Sequence, residues 1–292
     1  MSTTAPTRTA TVARPATSAA PTKSVAVSHH PGGRVLGVLG RGAWRSAALV
    51  LFFLLWELGP QYLLKPETKV FLPPLHVTLQ AWVDLVRDGQ LQEHLKASVT
   101  RSVLGFSIAV VAGISLGLVV AWYASLQSFL TPLLELFRNT AALALLPVFT
   151  LLLGIGEVSK VSIVAYAAFF PVLLNTIAGV RTVDPLLVRA ARSLGLSNLQ
   201  LFQKVVLPSA VPTIFTGIRM GGTASILVLI AAEMVGAKAG LGYLIVNAQS
   251  SFQIPQMYAG ILTVSVLGLA VNIGLVRLER HFSRWRTDAQ GR

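Results

Sequence analysis

Residues 181–222 read RTVDPLLVRAARSLGLSNLQLFQKVVLPSAVPTIFTGIRMGG, and they decide how the chain is organised. Asp184 followed by Pro185 predicts a helix start, with an acceptor at the N-cap and proline at the first helical position. That helix should run to Leu194 and stop at Gly195. Ser197 then opens a second helix, and Gln200 three residues later completes a capping box. Leu199, Leu201, Phe202, Val205 and Val206 give it an apolar side, and Pro208 is expected to close it. A passive connector needs no pair of capped helices about a tight bend. On pattern alone, a docking element for a partner and a merely structured loop both remain open.

On either side lie long apolar runs. The 292 residues are 53% hydrophobic and 12% charged, about half the charge of a soluble domain. Backbone polar groups in lipid must be satisfied within helices or a closed barrel. The runs reach about twenty residues without alternating, which predicts a helical bundle. Six spans are expected, at 44–64, 103–124, 132–153, 159–180, 210–235 and 258–278. Gly113 and Gly117 in the second make a small-xxx-small packing face. Residues 74–95 carry apolar residues at helical spacing, as an interfacial helix or a short surface helix would.

The charge of +13 follows the spans. Six Lys/Arg, counting Arg45, and no acid lie up to the start of the first span, Arg181, Arg189, Arg192 and Lys204 face Asp184 alone in the linker, and five arginines lie from Arg277 onward. Residues 65–102 are close to neutral, and only Lys238 lies between the last two spans. Basic ends mark the cytoplasmic side, so both termini and the 181–208 region are expected there. The basic excess is a topology signal, and no nucleic-acid partner is expected. Residues 1–43, rich in Ser, Thr, Ala and Pro, are expected to be a disordered cytoplasmic tail rather than a cleaved signal peptide, and 287–292 a short C-terminal tail.

There is no cysteine, and no spacing among the five histidines resembles a metal site. No GxxxxGK[ST] segment occurs, so the chain is not expected to be an ATPase, nor any enzyme. No catalytic, cofactor-binding or metal-binding residue is expected. Charged and polar groups in the spans are candidates for a transport path. They are Arg138, Asn139 and Thr140 in the third span, and Thr216 and Thr223 in the fifth. Arg138 reads equally well as a path group or a headgroup anchor, and anchoring is favoured for Arg219. Glu233 is expected to be a structural hydrogen-bond partner near the outer end. The small and polar surface of the fifth span, including Gly217, Gly221 and Gly222, fits a path lining or close packing.

The linker resembles the cytoplasmic motif of bacterial ABC importer permeases: Glu-Ala-Ala, three residues, Gly, nine residues, Ile-x-Leu-Pro. Ala190, Ala191, Gly195, Val205, Leu207 and Pro208 stand at the matching positions, and Arg189 replaces the glutamate. FLPP at Phe71–Pro74, LGIGEVSK at Leu153–Lys160, FFPVLLNTIAGVRTVDP at Phe169–Pro185, AAEMVGAKAGLGYLI at Ala231–Ile245 and LERHFSRW at Leu278–Trp285 extend the resemblance, which is nearest to the nitrate/sulfonate/taurine subgroup.

The resemblance implies a type I ABC importer permease fold in a bacterial inner membrane. It implies a second permease subunit, identical in the simplest case, with two cytosolic ATPases carrying ATP and Mg and an external substrate-binding protein. It also implies ATPase coupling through Arg189, Ala190, Ala191, Gly195, Leu199, Phe202, Leu207 and Pro208. The substrate implied is a small anion: an aliphatic sulfonate, taurine or nitrate. A vitamin precursor or aromatic acid, or an ion-coupled secondary transporter, are the alternatives. One departure bears on the path: relatives usually carry Pro-x-Pro-Pro after the position of Arg138, and here Asn139–Ala142 stand there. Loss of helix-bending prolines predicts a straighter third span.

Overall fold

A computed structural model describes residues 32–62 and 65–282 of the chain. Two compact units divide between Phe52 and Phe53, and the second carries the site. The described residues are helical, with no strand among them. In chain order the helices are α1 (Gly32–Tyr62), α2 (Pro66–Lys69), α3 (Leu75–Arg87), α4 (Gln90–Trp122), α5 (Ala124–Asn139), α6 (Leu146–Leu153), α7 (Glu157–Arg181), α8 (Pro185–Ser193), α9 (Asn198–Leu201), α10 (Leu207–Met234), α11 (Leu241–Ser250) and α12 (Ile254–Phe282). Of the expected 1–43 tail, residues 1–31 lie outside the described residues and 32–43 begin α1. The 287–292 tail also lies outside them.

Among the described residues, α4, α7, α12 and the continuous Asn198–Met234 segment are long and apolar enough to cross a membrane. The helices Ala124–Asn139 and Ala142–Leu153 pass the same test only when taken together as a bent pair, and the expected first span falls on the shorter apolar helix Ala47–Tyr62. The third span is therefore not straight. Its two halves meet at 88°, although proline is absent from Asn139–Ala142. Thr140 and Ala141 are extended, with ψ of 121° at each, and a 3-10 turn over Ala142–Leu145 leads into α6 with Pro147 in its first turn. The break thus falls at the extended Thr140–Ala141 pair, while Pro147, which lacks an N–H, lies within the second arm in the first turn of α6.

α7 is the central helix. α4 and α10 both pack along it and also touch each other, and glycines set the spacing. A Cβ at Gly105, Gly113 or Gly117 would press on Val164, Val172 or Thr176, and one at Gly217 or Gly221 on Asn175 or the Ala168 carbonyl. Small residues let backbones approach where lipid supplies no hydrophobic drive between helices. The small surface of α10 is thus spent on packing within the chain.

At one end of the bundle, Leu85, Leu91, Leu241, Leu244 and Ala259 join α3, α4, α11 and α12 in an apolar cluster. At the other, Ala191, Leu201 and Val206 hold α8, α9 and the following turn together. Asp184 accepts from the Leu186 N–H at 2.8 Å, and Ser197 and Gln200 exchange their capping bonds at 3.4 and 3.1 Å. Gly195 ends α8 with φ of +76°, a left-handed conformation that favours glycine.

Pro208 does not close the second helix. A π turn over Phe202–Val206 runs straight into α10, with Pro208 in its first turn. The wider turn accommodates a residue that lacks an N–H and crowds the carbonyl four positions back.

Candidate functional site

The break in the third span opens a cavity of about 480 Å³ between the end of α5, the middle of α7 and the C-terminal half of α10. Its wall is largely apolar: Phe137, Phe170, Leu174, Met220 and Val228 face it. Arg138 and Thr140 lie at its rim, and Tyr166 and Asn175 bring polar groups from α7. Tyr166 donates its hydroxyl to the Phe137 carbonyl at 2.8 Å, tying α7 to the last turn of α5. Asn175 donates to the Pro171 carbonyl at 2.8 Å. Aromatic rings line up along one side, with Phe149, Tyr166 and Phe170 meeting edge to face at 6.1 and 5.2 Å.

Arg138 is exposed, lies in the last turn of α5, and has no ion-pair partner among the described residues. A guanidinium beside an apolar wall holds an oxyanion by two parallel N–H bonds, while the wall accepts a short carbon chain. Asn139, Thr216 and Thr223 do not line this cavity. The hydroxyls of Thr216 and Thr223 donate to the Pro212 and Arg219 carbonyls on their own helix. Arg219 pairs with Glu279 of α12 at 3.3 Å. Tyr166 and Asn175 were not singled out from sequence, though an asparagine inside FFPVLLNTIAG is a usable signal.

The sequence reading also missed a buried ionic knot where α4, α7 and α10 end together. Arg101 of α4 is 4% exposed and Glu233 of α10 is 1% exposed. One guanidinium nitrogen of Arg101 donates to Glu233 at 2.7 Å and to the Ala239 carbonyl at 2.6 Å. Two more donate to Glu157 of α7 at 2.5 and 2.6 Å. Ser98 donates to Glu233 and accepts from the Leu241 N–H at 2.8 Å, and the Gly242 N–H donates to Glu233 at 3.1 Å. Lys160 donates to the Gly156 and Gly236 carbonyls. Every strong acceptor here has a donor, as a buried carboxylate requires. Glu233 is thus a structural hydrogen-bond partner.

The projection between α7 and α10 presents different chemistry. Arg189, Ala190, Gly195 and Leu199 are exposed, Ala191 is buried, and Phe202, Leu207 and Pro208 are half-buried. Phe202 meets Trp122, the last residue of α4, edge to face at 5.1 Å. Leu186, Leu187, Leu194 and Leu199 are exposed apolar side chains on this small element. Its residues therefore divide into a buried set that holds it together and an outward set available to a partner.

Comparison with known proteins places these features in a family. Residues 109–285 match the model of the binding-protein-dependent transport system inner membrane component. The chain is 34% identical to the taurine transport system permease protein of Escherichia coli over 82% of this chain and 88% of that one. It is 35% identical to the putative aliphatic sulfonates transport permease protein of Bacillus subtilis over 75% of this chain and 80% of that one. A chain in a structure of the MetNI methionine ABC transporter in an inward-facing conformation shares the fold, with a TM-score of 0.58 at 17% identity over 66% of this chain and 95% of that one. An all-helical bundle with a bent apolar pair and a capped projection agrees with that match: the chain belongs to the binding-protein-dependent transport system inner membrane components, the non-catalytic membrane subunits of ABC importers.

Proposed function

We propose that the chain forms half of the path by which an aliphatic sulfonate, or a small anion of like chemistry such as taurine or nitrate, enters the cell. The observation that carries the substrate class is Arg138 at the rim of the apolar cavity with Thr140 beside it. A sulfonate offers oxygens to the guanidinium and a carbon chain to Phe137, Phe170 and Met220. The curated relatives named for taurine and aliphatic sulfonates support the same class.

In this reading a second, identical subunit closes the path, with six spans in each and both termini in the cytoplasm. Two cytosolic ATPases, which hold ATP and Mg, dock on the 181–208 region, and an external binding protein delivers the anion. Closure of the ATPases draws the two projections together and opens the path outward, and hydrolysis lets it reopen inward. Arg189, Ala190, Gly195 and Leu199 form the docking surface, while Ala191, Phe202, Leu207 and Pro208 hold it in place.

The test is ATPase activity of the complete complex in proteoliposomes across alkanesulfonates, taurine, nitrate and uncharged solutes. Stimulation by a sulfonate should be lost in Arg138→Gln while ATPase binding is kept. It should also be lost in Gly195→Val, where a branched side chain at φ of +76° costs about 1–2 kcal/mol locally. Equal stimulation of wild type and Arg138→Gln would remove the anion assignment. Failure of any ATPase to associate would remove the coupling role.

A further inference from the structure

A second cavity, also about 480 Å³, lies where α4 and α7 end against α8. Trp122 and Arg181, the last residues of α4 and α7, line it together with Arg189 and Arg192 of α8. All three arginines are exposed, and none has an ion-pair partner among the described residues. The carboxylate of Asp184, the one acid of the 181–208 region, accepts from the Leu186 N–H. The cavity thus concentrates positive charge that the fold leaves unmatched.

Its depth identifies the ligand. Tryptophan and arginine at the ends of spanning helices sit at the level of the lipid headgroups. Leading to Trp122 along one face of α4 are Leu104, Ile108, Leu116 and Val119, which are 51%, 55%, 38% and 46% exposed, with the exposed Ala112 between Ile108 and Leu116. Steps of three and four residues make this a continuous apolar track, along which an acyl chain can lie with its phosphate at the three guanidiniums. Basic pockets between spanning helices on the cytoplasmic side take such headgroups.

We propose that this pocket binds the phosphate headgroup of an anionic phospholipid, seated beneath α8. Only the name of the leaflet rests on the topology proposed above.

The experiment is native mass spectrometry of the purified full chain, offered phosphatidylglycerol and phosphatidylcholine with identical acyl chains. Wild type should retain phosphatidylglycerol preferentially. Arg181→Gln/Arg189→Gln/Arg192→Gln should lower that preference by about two orders of magnitude, from the loss of three phosphate contacts. Lys204→Gln, on the same projection but outside the cavity wall, should leave it unchanged. An equal loss in Lys204→Gln and Arg192→Gln would mean diffuse attraction and overturn the proposal. Displacement of the lipid by inorganic phosphate would assign the pocket to a soluble anion and overturn it too.

Photoactivatable phosphatidylglycerol on wild type needs no variant, and labelling within residues 181–192 is expected. Labelling elsewhere alone would sink the idea. Were the triple variant to shed the ATPase while keeping its lipid preference, the pocket would belong to an acidic protein surface. The lipid readout does not use the ATPase, so failure of the coupling reading leaves this result standing.

Discussion

At the α10–α11 end of the bundle, Arg101 is buried between two carboxylates and a carbonyl. At the α8 end, Arg189 and Arg192 are exposed and no carboxylate among the described residues pairs with them. The same side chain does opposite work. A desolvated guanidinium must have its partners supplied by the fold, and its loss strands them. A solvated one costs little to leave unpaired and is free to meet another molecule. The first end is therefore read as architecture and the second as recognition.

The largest expected effect breaks the first half of that contrast. Arg101→Met leaves Glu233 buried without its ion pair, which should lower stability by about 3–5 kcal/mol, seen as early thermal unfolding of the purified chain. A near-normal melting temperature would show that the knot is not architectural. Ser98→Ala removes a donor to Glu233 and an acceptor for the Leu241 N–H. A loss of about 1–3 kcal/mol is expected in the same assay.

On the opposite side, Ser197→Ala removes a helix cap from the projection and should cost about 1 kcal/mol. Proteolytic sensitivity confined to residues 194–208 would report it. The smallest stability effect sharpens the contrast: Arg189→Ala should fall within about 0.5 kcal/mol of wild type. Its expected consequence is weaker capture of the cytosolic ATPase, measured by copurification. Large destabilisation from Arg189→Ala would erase the distinction between the two ends.

The projection was legible in the sequence because caps are local. Asp184, Ser197, Gln200 and Gly195 each act within a few residues of themselves. The knot was not, because its members come from residues 98, 101, 156–160, 233, 236, 239 and 241–242, which only packing brings together. Arg101 counted merely as one charge in a near-neutral stretch before the apolar run at Val103. A signal was nevertheless present. His94, Ser98, Arg101, Gly105, Ala109, Gly113 and Gly117 follow one another at steps of three or four, one face of a helix that begins at Gln90. Following the small-residue face past Gly113 would have led to Arg101. The bend in the third span was missed for another reason: missing prolines were weighed, and the extended Thr140–Ala141 pair was not.

The π turn at Phe202–Val206 carries a consequence for length variation in this protein. Such a turn holds one residue more than an α-helical turn in the same place, so it acts as a buffer for a single insertion or deletion. A chain shorter by one residue there can close into ordinary α-helix and keep the facing of everything downstream. The same deletion inside α10 would rotate the remaining helix by about 100° and carry Gly221 away from its seat on Ala168. Gene-level length changes between projection and span should therefore collect at Phe202–Val206, where they are mechanically silent, and be excluded from the helix that follows.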